Sequence, residues 1–386
     1  MSGQMNVLIL GLGSAGCKFL DTCIQQEEPL PPHLAVHTDA QMLNSCGAEN
    51  KILLGSSILH GGSTGGNLDL GRQSVEADRE KLGEYFSDID ILFLVTGLGG
   101  GTGTGAAPPV ASLAREYGAT VLCFAIQPFF FEGRDKRRQA EVGLKELRDA
   151  SDAVIRLSNQ TICNWANDDI TVQDAFERLN VALLRNLLAT VDLLACPGVV
   201  TNVRFSDFAA LIDHSNGICV MGYGEGEGEN RIEDAINAVI SNPVLGKENI
   251  IKKASGLIIG ILGGTDMTVM EVRKIMETIP EMARSDVHLH MGAVLRPNWH
   301  KRIGIALFAS EKWEEPPFET VVDEDTKSEK KPHQNESQGK TKTPKQSELT
   351  LQPKGRGCFN GIEPTYFEGE DLDTPAFQRK NIKLTT

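Results

Sequence analysis

Glycine spacing is where this sequence first offers chemistry. A β-type run at residues 6–10 leads into Gly11-Leu12-Gly13-Ser14-Ala15-Gly16. This GxGxxG lies at a strand-to-helix junction, where backbone N–H groups and a helix N-terminus can face a phosphate. A second apolar run, residues 91–96, leads into Gly97-Leu98-Gly99-Gly100-Gly101-Thr102-Gly103-Thr104-Gly105. The missing side chains let the main chain wrap closely around an anion, and the Thr102 and Thr104 hydroxyls add donors. Between the two, the stretch 61–67 carries Gly65, Gly66 and Asn67, which suit a loop that senses a terminal phosphate. The first loop alone also fits a dinucleotide-binding unit, because Asp39 closes the next strand about twenty residues on. A dehydrogenase needs no second cradle, so the pair of loops favours a nucleoside triphosphate.

Such loops need a scaffold. Short β-type runs at 6–10, 35–38, 91–96 and 121–126 alternate with helical patterns, one of them starting near Ala106, which predicts an α/β fold with a parallel sheet. Thr171-Val172-Gln173-Asp174 reads as a helix start, and Phe176, Leu179, Leu183, Leu184, Leu187, Leu188, Val191 and Leu194 mark an apolar face that Pro197-Gly198 stops. That helix is long enough to be a spine. After it come a run at 218–222, a Gly/Glu-rich loop, helices at 232–240 and 270–282, and strands at 256–262, 287–294 and 303–308, which predict a second, smaller α/β domain. Residues 323–348 contain no aliphatic, aromatic or Cys residue and cannot offset their ordering entropy by burial. The expected organisation is therefore a nucleotide-binding domain at 1–170, a central helix at 171–197, a second domain at 198–311, a disordered linker at 312–361 and a partner-binding peptide at 362–386.

Charge and cysteine usage exclude several classes. In 386 residues, 38 Lys and Arg against 52 Asp and Glu leave a formal charge of −14, a poor match for nucleic acid or an anionic membrane surface. The eight cysteines are scattered without a CxxC, and the eight histidines show no ligand spacing, so neither a zinc site nor a disulfide framework is expected. No apolar run approaches the ~20 residues that span a bilayer. A cytoplasmic protein without direct membrane insertion is the expectation.

GLGSAG at 11–16, HTDAQ at 37–41, GGNLDLGR at 65–72 and GGGTGTGAAP at 99–108 together resemble the tubulin/FtsZ superfamily, on the side of bacterial FtsZ. The resemblance spans residues 5–310 and resumes at 373–380, DTPAFQRK. It implies a Rossmann-type parallel-sheet GTPase domain joined by the long helix to a smaller α/β domain, binding GTP or GDP with Mg²⁺ held mainly by phosphates and water. Ser14, Ala15, Gly16, Cys17 and Lys18, with Gly99, Gly100, Gly101, Thr102, Gly103, Thr104 and Gly105, would hold the phosphates. Glu132 would contact the ribose, Lys136 would fill the family's basic position, Asn159 and Asn180 would reach sugar and base, and Phe176 would stack on guanine. Lys18 stands where the family commonly has Asn, and Lys136 where it commonly has Arg.

The resemblance also implies head-to-tail self-assembly in bacterial cell division, with the catalytic loop of one subunit entering the pocket of the next. The matching stretch is Asn202-Val203-Arg204-Phe205-Ser206-Asp207, in which Arg204 replaces the first of two family carboxylates. Asp207 is expected to orient the water and Asn202 to support the γ-phosphate, with slow hydrolysis. Asp373, Pro375, Phe377 and Arg379 would meet membrane-anchor or division proteins. Two rival readings are a slow or non-hydrolysing structural paralogue that co-polymerises, and an NAD-dependent oxidoreductase using the first loop alone.

Overall fold

Runs of Leu, Ile, Val and Phe that are apolar at every position suit strands covered on both faces, as in parallel sheets. A computed structural model describes residues 5–26, 29–165, 170–195, 199–201, 203, 206–208, 211, 218–245, 249–310, 366–367 and 370–371. In chain order the first half gives β1 (Val7–Leu12), α1 (Gly13–Gln25), β2 (His33–His37), α2 (Ala40–Ser45), β3 (Asn50–Leu53), α3 (Ser56–Leu59), α4 (Leu68–Ala77), α5 (Arg79–Phe86), β4 (Ile91–Gly97), α6 (Gly101–Glu116), β5 (Thr120–Gln127), α7 (Arg134–Ala150), β6 (Ala153–Ser158) and α8 (Ile162–Trp165). Helix α9 (Val172–Ala195) follows, then β7 (Val199–Thr201), β8 (Ile218–Glu227), α10 (Arg231–Ile240), α11 (Asn249–Lys253), β9 (Gly256–Gly263), α12 (Val269–Glu281), β10 (His288–Leu295) and β11 (Arg302–Ser310).

The strands hydrogen-bond in the order β3-β2-β1-β4-β5-β6-β8-β11-β9-β10-β7. Pairing is parallel from β3 through β6, and β6 passes to β8 through Val154 opposite Ile218 and Ile155 opposite Cys219. β11 is antiparallel to both β8 and β9. One face of the first half packs α1 and α9 through Phe19, Phe93, Phe124, Leu183 and Leu187, and the other packs α4 to α7 through Leu94, Val75, Phe86, Val110 and Leu144. A third core joins α10 and α12 to β9 and β11 through Val239, Ile259, Ile275 and Ile305. The described residues from 5 to 310 belong to one compact unit. In the second unit, β12 (Tyr366–Phe367) pairs antiparallel with β13 (Glu370–Asp371). The whole of the expected linker, 312–361, and Asp373, Pro375, Phe377 and Arg379 lie outside the described residues. Among the described residues, no helix is long and apolar enough to cross a membrane.

Three local expectations are corrected. Helix α6 starts at Gly101 rather than near Ala106, so Thr102 to Gly105 form its first turns and the open loop is confined to Leu98 through Gly100. Residues 223–227 extend β8 instead of looping: Tyr223 pairs with Ala306 and Glu227 with Arg302. Glycines there are packing features, since a Cβ on Gly224 would lie 2.2 Å from the Val239 nitrogen. Finally, Phe176 does not continue the apolar face of α9 into the core; it is 37% exposed, whereas Leu179, Leu183 and Leu187 are buried.

Candidate active site

Two helices begin side by side at the ends of β1 and β4. α1 starts directly after Leu12 and α6 after Gly100, and neither residue caps its helix with a side chain, which leaves first-turn N–H groups available to a ligand. The two first turns touch: a Cβ on Gly13, whose φ is +71°, would stand 3.2 Å from the Gly103 nitrogen. A Cβ on Gly16 would stand 2.6 Å from the Val95 carbonyl oxygen, so α1 lies hard against β4. Two partly positive helix ends converging on one spot suit an anion.

Hydroxyls brace the second cradle from inside. Thr104 Oγ1 accepts from the Gly99 N–H at 2.7 Å, and Thr102 Oγ1 lies 2.7 Å from Thr38 Oγ1. Ser14 is exposed at the first turn of α1, with its Oγ 3.0 Å from His37 Nε2. Cys17 faces the core, and burial pushes its thiol up to about 12, so only its main chain and the exposed Lys18 side chain look outward. Gly65 and Gly66 adopt φ of +58° and +85°, and a Cβ on either of them, or on Gly100, would meet nothing within 4 Å. Asn67 Oδ1 accepts from the Asp69 and Leu70 N–H groups and so caps α4.

A second wall follows β5. Glu132 Oε1 accepts from the Phe129 N–H at 2.8 Å, while its Oε2 accepts from Lys136 Nζ at 3.1 Å. Phe129 meets Phe176 edge to face at 5.5 Å between centroids. Gln160 Oε1 accepts from the Phe130 N–H at 3.1 Å, which ties the adjoining Asn159 turn to this wall. Asn159 is 9% exposed and its Oδ1 has no hydrogen-bond partner, an orphaned acceptor that a ligand donor would satisfy. Asn180 on α9 donates from Nδ2 to Thr22 Oγ1 on α1 at 3.2 Å.

The expected hydrolytic residue lies elsewhere. Ser206, Asp207 and Phe208 are helical, and Phe208 is fully buried with its ring 4.7 Å from that of Phe308 on β11. Val203 seats against Gly292 of β10, where a Cβ would meet its Cγ2 at 2.3 Å. Asp207 Oδ1 lies 3.7 Å from His290 Nδ1 on β10. Asn202 and Arg204 lie outside the described residues. The site residues expected from sequence thus fall into two groups, a cradle with its aromatic wall and a remote carboxylate. Sequence reading gave no role to His37, Thr38, Gln160 or His290. HTDAQ flagged the first two only as part of a motif, and nothing flagged the others. Asp39, which a dinucleotide reading needs on a ribose, instead caps α2 by accepting from the Gln41 and Met42 N–H groups. Among the described residues, no cluster of three or more His, Cys, Asp or Glu could hold a metal ion.

Residues 6–167 match the Tubulin/FtsZ family GTPase domain, and residues 217–311 match the FtsZ family C-terminal domain. Among solved structures, an FtsZ dimer from M. jannaschii is 27% identical with a TM-score of 0.68, covering 80% of this chain and 89% of that one. CetZ2 from Haloferax volcanii, a GTPγS-bound protofilament, is 23% identical with a TM-score of 0.64, covering 80% and 93%. CetZ from Methanosaeta thermophila is 22% identical with a TM-score of 0.66, covering 80% and 87%. With an N-terminal GTPase domain, a C-terminal domain and the parallel-sheet core they share, the chain belongs to the tubulin/FtsZ family.

Proposed function

We propose that this protein is a GTP-binding, self-assembling cytoskeletal GTPase whose hydrolytic site is completed between copies, and that its filament serves bacterial cell division. The observation that carries the reading is the separation of the two halves of the site. In the sheet order β10 lies six strands from β4, roughly 29 Å along the sheet at ~4.8 Å per strand. Asp207 sits against β10 and the cradle against β4, so the carboxylate serves the pocket of another subunit. Such a contact is heterologous and builds open filaments. Filament and dimer neighbours among the similar structures support self-association.

In this reading the N–H groups of residues 13–16 and 101–103 hold the phosphates, with Lys18 adding charge and Gly65, Gly66 and Asn67 facing the γ-phosphate. Glu132 takes the ribose, Lys136 stays close to it, Phe176, braced edge to face by the buried Phe129, stacks on guanine, and Asn159 and Asn180 offer amide groups to sugar and base. Mg²⁺ would be carried by the phosphates and water. Asp207 orients the attacking water, and Asn202 supports the γ-phosphate end. The protein acts in the cytoplasm at the division site, meeting membrane-anchor or division proteins through 373–380. A slow or non-hydrolysing paralogue that co-polymerises is favoured by one feature, Arg204 in place of a family carboxylate.

Phosphate release measured against protein concentration tests the proposal: turnover per molecule rises cooperatively with assembly. Asp207→Asn keeps GTP affinity and lowers turnover by ~10² to 10⁴ if the carboxylate carries proton transfer. Turnover per molecule that is constant on dilution, or no GTP binding, overturns it. GTP-dependent assembly without turnover selects the paralogue reading.

A further inference from the structure

We propose that His37 is a positioning residue for the phosphate loop, holding the Ser14 hydroxyl so that its own proton points outward to a nucleotide phosphate. This rests on the nucleotide reading above but concerns a residue that reading does not use. The argument begins with the ring's hydrogen bonds. His37 Nδ1 accepts from the Asp39 backbone N–H at 2.8 Å, so the neutral ring carries its proton on Nε2. Nε2 lies 3.0 Å from Ser14 Oγ and donates to it. A hydroxyl that accepts this bond still has its own O–H to donate, and Ser14 is exposed on the first turn of α1, beside the first turn of α6.

Both ring nitrogens are thus engaged. His37 ends β2 and is 4% exposed, and the next residue is fastened to α6 by the Thr38–Thr102 hydroxyl pair. Burial lowers the ring's pKa from its ordinary value, with the Asp39 charge opposing, which favours the neutral tautomer at neutral pH. Without the histidine donor, the Ser14 hydroxyl is free to rotate and to spend its proton elsewhere. One fixed donor to a bound anion is worth a factor of about ten in affinity.

The test measures equilibrium affinity of the full chain for GTP, GDP and guanosine. His37→Phe is expected to weaken GTP and GDP about tenfold and to leave guanosine unchanged. His37→Gln restores most of the loss, because its amide nitrogen can take the place of Nε2–H. Ser14→Ala gives a similar loss, and adding His37→Phe to it costs nothing further. Thermal unfolding checks each variant. If His37→Phe does not fold, His37→Asn replaces it, since its shorter amide can still accept from the Asp39 N–H but cannot reach Ser14. Unchanged GTP affinity, an equal loss for guanosine, or additive losses in the double variant each overturn the proposal. Absence of guanine-nucleotide binding by the unsubstituted chain is a different result, which overturns the functional reading and this proposal with it.

Discussion

Cys17 shows how a residue in a ligand loop can be chemically silent. Burial raises its thiol to about 12, and Cys219, fully enclosed between strands, is raised to about 12 by the same cause, against an ordinary 9.0. A raised folded-state pKa means that the folded chain holds the proton more tightly than the unfolded one. The stabilisation is complete below pH 9 and is lost as pH climbs toward 12. The melting temperature should therefore be insensitive to these thiols from pH 7 to 8.5 and fall above pH 9, with a shallower fall in the Cys17→Ala, Cys219→Ala double variant. An identical alkaline slope in both proteins would show that neither thiol is shielded. At this scale the sequence disclosed only what lies in one continuous stretch. GGGTGTG announces itself, whereas the His37–Ser14 and His290–Asp207 pairs join residues 23 and 83 positions apart and exist only after the sheet forms.

Elements were legible where periodicity is strong. Helix α9 begins and ends within two residues of its expected span, with Thr171 Oγ1 accepting from the Asp174 N–H as the capping signal implies. Strands β1, β4 and β5 stand where their apolar runs fall. β3 is only four residues with one buried position, too short to stand out from its surroundings. The glycines of β8 misled because in a sequence glycine signals a turn, while here it makes room for a helix backbone. Gly224 and Gly100 separate these uses. Gly224→Ala drives a Cβ to 2.2 Å from the Val239 nitrogen and should cost about 1–3 kcal/mol by overpacking α10 on β8. Gly100→Ala meets nothing within 4 Å at a φ of −103° and should stay within ~0.5 kcal/mol of the parent. Urea unfolding of the two variants measures the contrast, and equal costs would mean that the helix does not lie on β8 as described.

For the whole molecule, the proposed function makes a demand that no single subunit can meet. Under that proposal each copy would lend its cradle to one neighbour and its Asp207 carboxylate to the other, since six strand positions separate β4 from β10 in one chain. Damage to the two halves should therefore complement. Asp207→Asn keeps the cradle and lacks the carboxylate. Gly100→Asp keeps the carboxylate and places a negative charge in the open space before α6, where it repels phosphate. Each variant alone should release little phosphate. Mixed in equal amounts and co-assembled at random, about one contact in four joins an intact cradle to an intact carboxylate, so turnover should return to about a quarter of the unsubstituted rate. A site assembled within one chain predicts no recovery at any ratio. Phosphate release across a series of mixing ratios, with sedimentation confirming that both variants enter the same polymer, decides between them: a maximum near equal amounts supports completion in trans, and a flat line excludes it.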